Sequence, residues 1–377
     1  MQVQRALKST ILNKLNTSPK GVVIYGARQV GKTTLAKEII EELQLKTLVV
    51  NGDQTKYVDI LSSRNLAKIK ELVSGYELLL VDEAQRIPEI GISLKIIRDE
   101  LPDLKLIVTG SSSLDLASSI SEPLTGRVWT YKLYPVSIGE LANIYSDFEL
   151  KDQLAERMVY GSYPELIGMS GGDQKREYLQ VLSDAYLYKD LLELSGIRNT
   201  NKIRDLLKLL AFQVGNEVSL TELGTQLEMG KDTVAKYIDY LEKSFIVFRL
   251  SGLNRNLRKE VGKKDKIYFY DLGVRNILID NLKNLKDRSD VGALWENFLV
   301  IERMKRNAYI GIVTNTYFWR TYTGAELDYV EECEGLMSGY EFKYAKDKVK
   351  PPKSWGETYT NARFELINTD NWLEFVR

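Results

Sequence analysis

The sequence predicts an α/β fold in which a parallel sheet carries the main functional residues and further helical and α/β segments follow. Three observations support it. Residues 21–34 read GVVIYGARQVGKTT, an apolar strand that runs into a glycine-rich turn and a helix. The apolar runs LLLVDEAQ (78–85) and LKLIVTGS (104–111) end in polar residues, and open parallel sheets bind ligands at such carboxyl ends. From Asn201 the pattern changes to amphipathic helices followed by alternating strands.

Composition excludes several classes of site. A chain of 377 residues is expected to form two to four domains, and its 52 Lys+Arg balance its 52 Asp+Glu, so any basic surface must be local. The chain has one cysteine, Cys333, and no histidine. Disulfide frameworks, Cys/His zinc sites and His-based catalytic triads are therefore excluded. No leader-like apolar segment and no run approaching 18 apolar residues is present, so we expect a cytoplasmic protein without a membrane partner.

The turn after the first strand has the spacing Gly26-x-x-x-x-Gly31-Lys32-Thr33, which is typical of a loop that holds a nucleoside triphosphate. Backbone amides of such a loop surround the phosphates, Lys32 reaches the β- and γ-phosphates, and Thr33 supplies a Mg²⁺ ligand. A glycine-rich turn without a ligand is the alternative. The predicted cofactor-binding residues are Gly26, Ala27, Arg28, Gln29, Val30, Gly31, Lys32, Thr33 and Thr34.

Two strand ends supply the predicted catalytic groups. Asp82 closes its strand where a carboxylate would bind Mg²⁺, and the adjacent Glu83 would orient and deprotonate the attacking water. An Asp-Glu pair after a strand is also an ordinary helix N-terminus. Ser111 or Thr109 would sense the γ-phosphate, although Ser111 could equally cap the next helix.

The segments GARQVGKTT, LLLVDEAQ, IVTGSS and LTGRVWTYKLYPVSIGEL, in this order, resemble the AAA+ ATPase family, in particular its prokaryotic branch with a C-terminal domain of unknown function. This resemblance implies ATP and Mg²⁺ as cofactors and a homo-oligomer, usually a hexamer. It also implies that Arg127 is an arginine finger that completes a neighbouring subunit's site. The alternative is a surface arginine paired with Glu122 or Glu140. Arg157 and Arg176 are the candidates for a second sensor.

Changes of pattern divide the chain into an AAA+ core (1–137), a helical lid (138–200), a winged-helix domain (201–266) and a last α/β domain (267–377). In the third segment, SLTELGTQLEMGKDTVAKYIDYLEKSFIVFRL predicts helix, turn, helix and strand, with Ser219 as a cap and Gly230 as a turn. That order resembles a winged helix, which binds DNA or serves only as a packing module. The predicted DNA-binding residues are Lys231, Lys236, Arg255, Arg258, Lys263, Lys264 and, from the last domain, Lys343.

The last domain contains a second group of candidate residues. Residues 317–346 predict three strands, two of them joined by a loop around Gly335–Gly339, with Glu326 and Asp328 on one face of the middle strand. Glu341 and Lys343 share a face of the next strand. The pattern GAELD…YEFK resembles the PD-(D/E)xK superfamily and so implies a restriction-endonuclease-like fold.

This second resemblance implies a metal site formed by Glu296, Asp328 and Glu341, with Lys343 offsetting charge at the scissile phosphate. The alternative is a degenerate, inactive fold in which these carboxylates pair with Lys343 or Arg320. The function that the sequence predicts is a Mg²⁺-dependent AAA+ ATPase, oligomeric, that acts as a motor on duplex or branched DNA. The alternative function is a nucleotide-switched signalling or scaffold ATPase that binds a protein partner.

Overall fold

The glycine-rich turn follows the first strand of a parallel sheet in the computed structural model, which describes residues 3–111, 123–185, 200–253, 264–322, 324–345, 348–359 and 361–377. Two compact units divide the chain: the first comprises Gln2–Pro135 with Lys243–Phe245, the second Val136–Glu242 and Ile246–Arg377.

The first unit contains a sheet with the strand order β2-β3-β4-β1-β5. All of its recorded pairings are parallel. The strands are β1 (Gly21–Tyr25), β2 (Thr47–Asn51), β3 (Leu78–Asp82), β4 (Lys105–Gly110) and β5 (Val128–Lys132). Its described helices are α1 (Leu7–Thr17), α2 (Lys32–Leu43), α3 (Thr55–Ser62), α4 (Leu66–Val73) and α5 (Ile90–Glu100).

The central strands are apolar because both faces of this sheet are covered. Every residue of β3 is buried, and its four apolar side chains have no exposed surface. Continuous apolar runs of this kind are typical of parallel strands that lie between helices. The register pairs Val81 of β3 with Val108 of β4, and Ile24 of β1 with Thr109. The residues that end or follow β1, β3 and β4 therefore lie at one edge of the sheet.

The second unit contains a sheet with the order β11-β10-β9-β8-β6-β7. Its strands are β6 (Val247–Gly252), β7 (Lys266–Phe269), β8 (Asn315–Arg320), β9 (Glu326–Cys333), β10 (Leu336–Phe342) and β11 (Arg363–Ile367). Its described helices are α6 (Ile138–Leu141), α7 (Asp147–Asp152), α8 (Leu154–Tyr160), α9 (Pro164–Ile167), α10 (Gly172–Ala185), α11 (Thr200–Phe212), α12 (Leu220–Gln226), α13 (Lys231–Lys243), α14 (Leu272–Leu278), α15 (Val291–Ile310), α16 (Lys353–Thr358) and α17 (Trp372–Val376).

Strands β6 and β7 pair antiparallel, while β6 also pairs with β8 in parallel through Ser251 opposite Tyr317. The hairpin that follows α12 and α13 is therefore continuous with the strands of the last α/β segment. Ser219 caps α12, because its hydroxyl accepts a hydrogen bond from the Glu222 N–H at 3.4 Å. Among the described helices, none is long and apolar enough to cross a membrane.

The connection between β9 and β10 differs from the predicted loop around Gly335–Gly339. Cys333 pairs with Leu336, so the turn consists of Glu334 and Gly335, and both residues have positive φ, 49° and 80°. Two such residues are typical of a tight hairpin turn. Gly339 lies inside β10, where a Cβ would meet Leu327 Cδ1 at 2.6 Å. This glycine therefore serves close packing rather than the turn.

Candidate functional site

The glycine-rich loop between β1 and α2 requires its glycines for conformational reasons. Gly26 has φ of 152°, and a Cβ at this position would lie 2.1 Å from the Leu133 carbonyl oxygen. Gly31 precedes α2 with φ of 95°. Both angles are strained for residues with a side chain. The loop therefore combines the spacing of a phosphate-binding motif with a backbone that only glycine adopts easily.

Lys32 and Thr33 begin α2 and contact the loop and the neighbouring strand. The Lys32 ammonium donates to the carbonyl oxygens of Gly26 at 3.0 Å and Ala27 at 2.7 Å. The Thr33 hydroxyl donates towards Asp82, 3.1 Å from Oδ1 and 3.2 Å from Oδ2. Thr109, near the end of β4, also donates its hydroxyl to Asp82 Oδ1. Two strand ends and the start of α2 thus bring two hydroxyl groups to one carboxylate.

Glu83 has a left-handed backbone, with φ 52° and ψ 44°, and precedes a short 3-10 turn at Ala84–Arg86. Its side chain makes no capping hydrogen bond to that turn. Instead, its Oε2 accepts a hydrogen bond from the Gln85 side-chain amide. The Asp82-Glu83 pair thus precedes a short helical turn, as the alternative predicted, but the Glu83 side chain does not cap it.

Gln85 also contacts Ser111, the candidate sensor. Its Nε2 donates to Ser111 Oγ at 3.0 Å, and its Oε1 accepts from the Ser111 N–H at 3.3 Å. The structure therefore links Ser111 and Glu83 through one intermediate side chain. The helix that Ser111 was alternatively predicted to cap lies outside the described residues. Sequence reasoning missed Gln85, and the available signal was a polar residue two positions after the Asp-Glu pair.

Arg5 is a second contact that the sequence did not indicate. Its guanidinium donates to the Val30 carbonyl at 2.5 Å and to the Tyr134 carbonyl at 2.6 Å, and its side chain is buried. These bonds hold the phosphate loop and the segment after β5 at fixed positions relative to each other. Partners 25 and 129 residues away leave no local pattern in the sequence.

Arg127 lies just before β5 and forms a two-pronged ion pair within its own chain. Its Nε and Nη2 donate to the two carboxylate oxygens of Asp99 at 2.6 and 3.0 Å. The hydrogen bond raises the pKa of Arg127 and lowers the pKa of Asp99. The carboxylate that binds Arg127 is thus Asp99, which the sequence did not suggest; Glu122, one of the suggested partners, lies outside the described residues.

The second unit contains the three predicted metal ligands, which we call the carboxylate cluster (Glu296, Asp328, Glu341). Glu296, on α15, accepts hydrogen bonds from Lys266 Nζ at 2.8 Å and from the Tyr268 hydroxyl at 2.6 Å. Asp328 Oδ2 accepts from the Phe342 N–H at 2.8 Å. Glu341 pairs with Lys343 at 2.6 Å. Each carboxylate therefore has its own partner from the chain.

Burial dominates the electrostatics of this cluster. Burial raises the pKa of Glu296, Asp328 and Glu341, and repulsion between carboxylates adds to the effect. Burial alone would lower the pKa of Lys266, but attraction to Glu296 and Asp328 outweighs it and raises that pKa. The lysines therefore remain charged and balance part of the negative charge.

The residues of the carboxylate cluster do not fit a metal ion. Within the described ranges, no group of three or more His, Cys, Asp or Glu side chains is arranged to hold one. The metal site predicted at Glu296, Asp328 and Glu341 is thus not found as a group of ligands, and Lys266 with Tyr268, a backbone amide and Lys343 bind one oxygen of each carboxylate in turn. Glu341 pairs with Lys343, as the alternative predicted, whereas Arg320 pairs with Glu217 at 3.2 Å.

The predicted DNA-binding residues are only partly described. Arg255, Arg258 and Lys263 lie outside the described residues. Lys231, at the start of α13, lines a cavity of about 350 Å³ with Arg249 and Lys264. Lys236 lies over the Tyr240 ring at 5.6 Å, and Lys343 is engaged by Glu341. Two of the predicted lysines, Lys231 and Lys264, therefore line one cavity.

The two candidates for a second sensor both have partners within the second unit. Arg157 is buried and pairs with Glu156, while Arg176 is exposed and pairs with Asp280 at 2.6 Å.

Three segments of the chain match known protein families. Residues 18–142 match an AAA domain, residues 151–286 a domain of unknown function (DUF8612), and residues 291–365 another domain of unknown function (DUF4143). The α/β fold of the first unit, with its parallel sheet and phosphate loop, matches a P-loop AAA+ core. The AAA-domain match supports nucleotide binding and ATPase activity in general. Arg5 and α1 precede the matched region.

Relatives occur in bacteria and archaea. An uncharacterized protein of Mycobacterium tuberculosis is 28% identical over 326 residues, covering 85% of this chain and 70% of the relative. An uncharacterized protein of Methanocaldococcus jannaschii is 24% identical over 390 residues, covering 96% and 85% respectively.

Among solved structures, the Thermotoga maritima RuvB Holliday junction branch migration motor is similar with a TM-score of 0.34. It is 20% identical, and the match covers 66% of this chain and 90% of that one. AMPPCP-bound DnaA from Aquifex aeolicus has a TM-score of 0.31 at 15% identity, with 63% and 86% coverage. Scores this low carry no inference about shared activity.

Proposed function

We propose that this chain is a Mg²⁺-dependent ATPase in which Asp82 holds the metal and Glu83 is the general base. The observation that carries the proposal is the meeting of Thr33, Asp82 and Thr109 beside the phosphate loop. Hydroxyl and carboxylate oxygens are the ligands that Mg²⁺ prefers. Thr33 and Asp82 therefore fit the metal, which would offset the negative charge of the β- and γ-phosphates.

The chain's own residues supply the remaining steps. Loop amides and the Lys32 ammonium bind the phosphates, and the Ser111 hydroxyl contacts the γ-phosphate. The Glu83 carboxylate orients a water molecule and accepts its proton as the water oxygen attacks the γ-phosphorus. The bond to the β–γ bridging oxygen breaks, and ADP leaves with that electron pair.

The direct test replaces the base without changing its size. Glu83→Gln should bind a fluorescent ATP analogue as wild type does, while phosphate release falls by roughly 10²- to 10⁴-fold, the usual range for loss of a positioned base. Glu100→Gln, an exposed residue at the end of α5, is the matched control and should retain full turnover. Wild-type hydrolysis by Glu83→Gln would show that the base is wrongly assigned.

The proposal includes an oligomer, hexameric by the AAA+ resemblance, in which Arg127 completes a neighbour's site. Its support is that Arg127 is at the surface, with 35% of its side chain exposed, and is held in place by Asp99. Arg127→Ala subunits keep an intact phosphate loop, and Lys32→Ala subunits keep the arginine. Mixing the two inactive variants should restore part of the activity. No recovery, together with a monomer in light scattering with ATP, would contradict this arrangement.

DNA is the proposed partner, with branched DNA among the structures to be tested. The support is a cavity at the start of α13, around which Lys231, Arg249 and Lys264 outnumber Asp265. Positive charge gathered in this way suits phosphate contacts, which dominate binding that is independent of sequence. The winged-helix and restriction-endonuclease-like assignments of the second unit remain part of this proposal.

One observation favours the alternative, a nucleotide-switched ATPase that binds a protein partner. The carboxylate cluster is bound by its own lysines, as expected for a tail that does not cleave DNA. ATPase rates with linear, forked and four-way DNA at several salt concentrations separate the two functions. A motor should be stimulated, with binding that falls steeply as salt rises. No binding near physiological salt would favour the switch.

A further inference from the structure

Gln85 makes three hydrogen bonds, and they join two groups of the proposed ATPase site. The side-chain Nε2 donates to Glu83 Oε2 and, at 3.0 Å, to Ser111 Oγ. The side-chain Oε1 accepts from the Ser111 N–H at 3.3 Å. Both amide hydrogens and the carbonyl oxygen are thus engaged.

The bond from Ser111 N–H determines the orientation of the amide. A backbone N–H needs an acceptor, so Oε1 must point towards Ser111 and Nε2 towards Glu83. With the amide reversed, two donors would face each other and Glu83 would meet a carbonyl oxygen. The orientation in which Gln85 donates to Glu83 is therefore the one that satisfies all three groups.

The hydrogen bonds of Gln85 affect Glu83, the proposed base. Glutamine cannot ionise near neutral pH, so it occupies Oε2 of Glu83 without competing for the proton. Oε1 then remains as the acceptor for the attacking water. The left-handed backbone of Glu83, uncommon for a residue with a side chain, sets the starting direction of the carboxylate, and Gln85 fixes its end.

The hydrogen bonds of Gln85 also affect Ser111, the candidate γ-phosphate sensor. Ser111 Oγ accepts a hydrogen bond from Gln85, so its own hydroxyl hydrogen is available for a different acceptor, such as a γ-phosphate oxygen. If Ser111 changed position, its two hydrogen bonds to Gln85 would shift the Gln85 side chain. The hydrogen bond from Gln85 would then shift the Glu83 carboxylate.

We propose that Gln85 is a positioning residue that couples γ-phosphate contact at Ser111 to the orientation of the base Glu83. This inference rests on the proposed ATPase function and adds a regulatory link inside the same site.

The first experiment compares Gln85→Leu with Gln54→Leu, an exposed glutamine before α3, by steady-state ATPase and nucleotide binding. Gln85→Leu should lower kcat roughly 10- to 100-fold with the Kd for ATP unchanged, the usual range for partners that orient a reacting group. Gln54→Leu should behave as wild type. Unchanged circular dichroism and Kd establish that Gln85→Leu is folded; a kcat within about twofold of wild type would overturn the proposal.

A pH profile separates positioning from simple packing. Gln85→Glu keeps the size of the side chain but places a second carboxylate beside Glu83. Repulsion between them should move the acidic limb of the kcat profile to higher pH by about one unit, since each carboxylate disfavours ionisation of the other. Gln85→Leu should lower the maximal kcat of the profile without shifting its acidic limb. An unmoved limb in Gln85→Glu would show that Gln85 does not contact the base.

Double variants then test the link to the sensor. Ser111→Ala with Gln85→Leu should lose no more activity than the worse single variant, because both interrupt one connection. Additive losses would overturn the coupling. Failure of the ATPase proposal looks different, because wild type would then lack turnover or Glu83→Gln would retain it. Loss in Glu83→Gln with normal Gln85→Leu would reject the positioning role alone.

Discussion

The two units both place carboxylates beside strand ends, yet their partners differ in kind. In the first unit, the hydrogen-bond partners of Asp82 are the hydroxyls of Thr33 and Thr109. In the second, Glu296 and Glu341 are bound by the ammonium groups of Lys266 and Lys343. A hydroxyl leaves the negative charge of a carboxylate available to a cation, whereas an ammonium group neutralises it. We therefore expect the type of partner, rather than the number of carboxylates, to decide which of the two groups binds a metal ion.

Burial explains why the second group needs its lysines. Three buried carboxylates in one unit are costly unless cations compensate them. Burial raises the pKa of all three, and the charged lysines limit that increase. The chain thus supplies, from β7 and the end of β10, the positive charge that a metal would otherwise provide.

The largest expected effect compares one carboxylate from each group. Asp82→Asn should lower the ATPase kcat by roughly 10²-fold or more, because it removes a charge that holds Mg²⁺ against the transferred phosphoryl group. Asp328→Asn, the matched change in the second unit, should leave kcat unchanged. Phosphate release at saturating ATP measures both. Equal losses in the two variants would contradict the separation of their roles.

A stability measurement sharpens the same comparison. Lys266→Met removes the ammonium group and leaves Glu296 buried without its cation, so urea unfolding should show a loss of about 3–5 kcal/mol. Adding Glu296→Gln should recover part of that loss. The exposed pair Lys353–Glu357 is the control, and Lys353→Met should change stability by less than about 0.5 kcal/mol. A mild effect of Lys266→Met, equal to that of the control, would argue against a buried ion-pair network.

The location of the first group was predictable because carboxyl ends of parallel strands meet at one edge. Gly26, Lys32 and Asp82 follow from motif spacing and strand order alone. Lys266 could not be found in this way, since its partner Glu296 lies 30 residues further along and the contact depends on how α15 packs on β7. Arg5 was missed for the same reason. The error at Gly339 arose because glycine serves close packing as well as turns.

The smallest expected effect concerns Asp290, a carboxylate of the second unit in which pairing outweighs burial. Burial alone would raise its pKa, but hydrogen bonds from Arg288 and Arg275 lower it to about 2. This lowered pKa stabilises the fold above about pH 4, and the contribution, about 2 kcal/mol, is lost as pH falls towards 2. Asp290→Asn should remove that acid dependence in unfolding measured from pH 7 to pH 2.

Glu296→Gln should remove a pH dependence of the opposite sign. The pKa of Glu296 is raised, so the stability linked to its proton is present at low pH and is lost as pH rises through the folded-state pKa. Identical pH profiles for Asp290→Asn and Glu296→Gln would show that the two carboxylates do not differ in this way.

Titration with Mn²⁺, followed by electron paramagnetic resonance with and without a non-hydrolysable ATP analogue, tests the difference between the two carboxylate groups most directly. We predict one bound Mn²⁺ per chain that requires the nucleotide, disappears in Asp82→Asn and persists in Asp328→Asn. A Mn²⁺ ion that binds without nucleotide and is lost in Asp328→Asn would contradict this account.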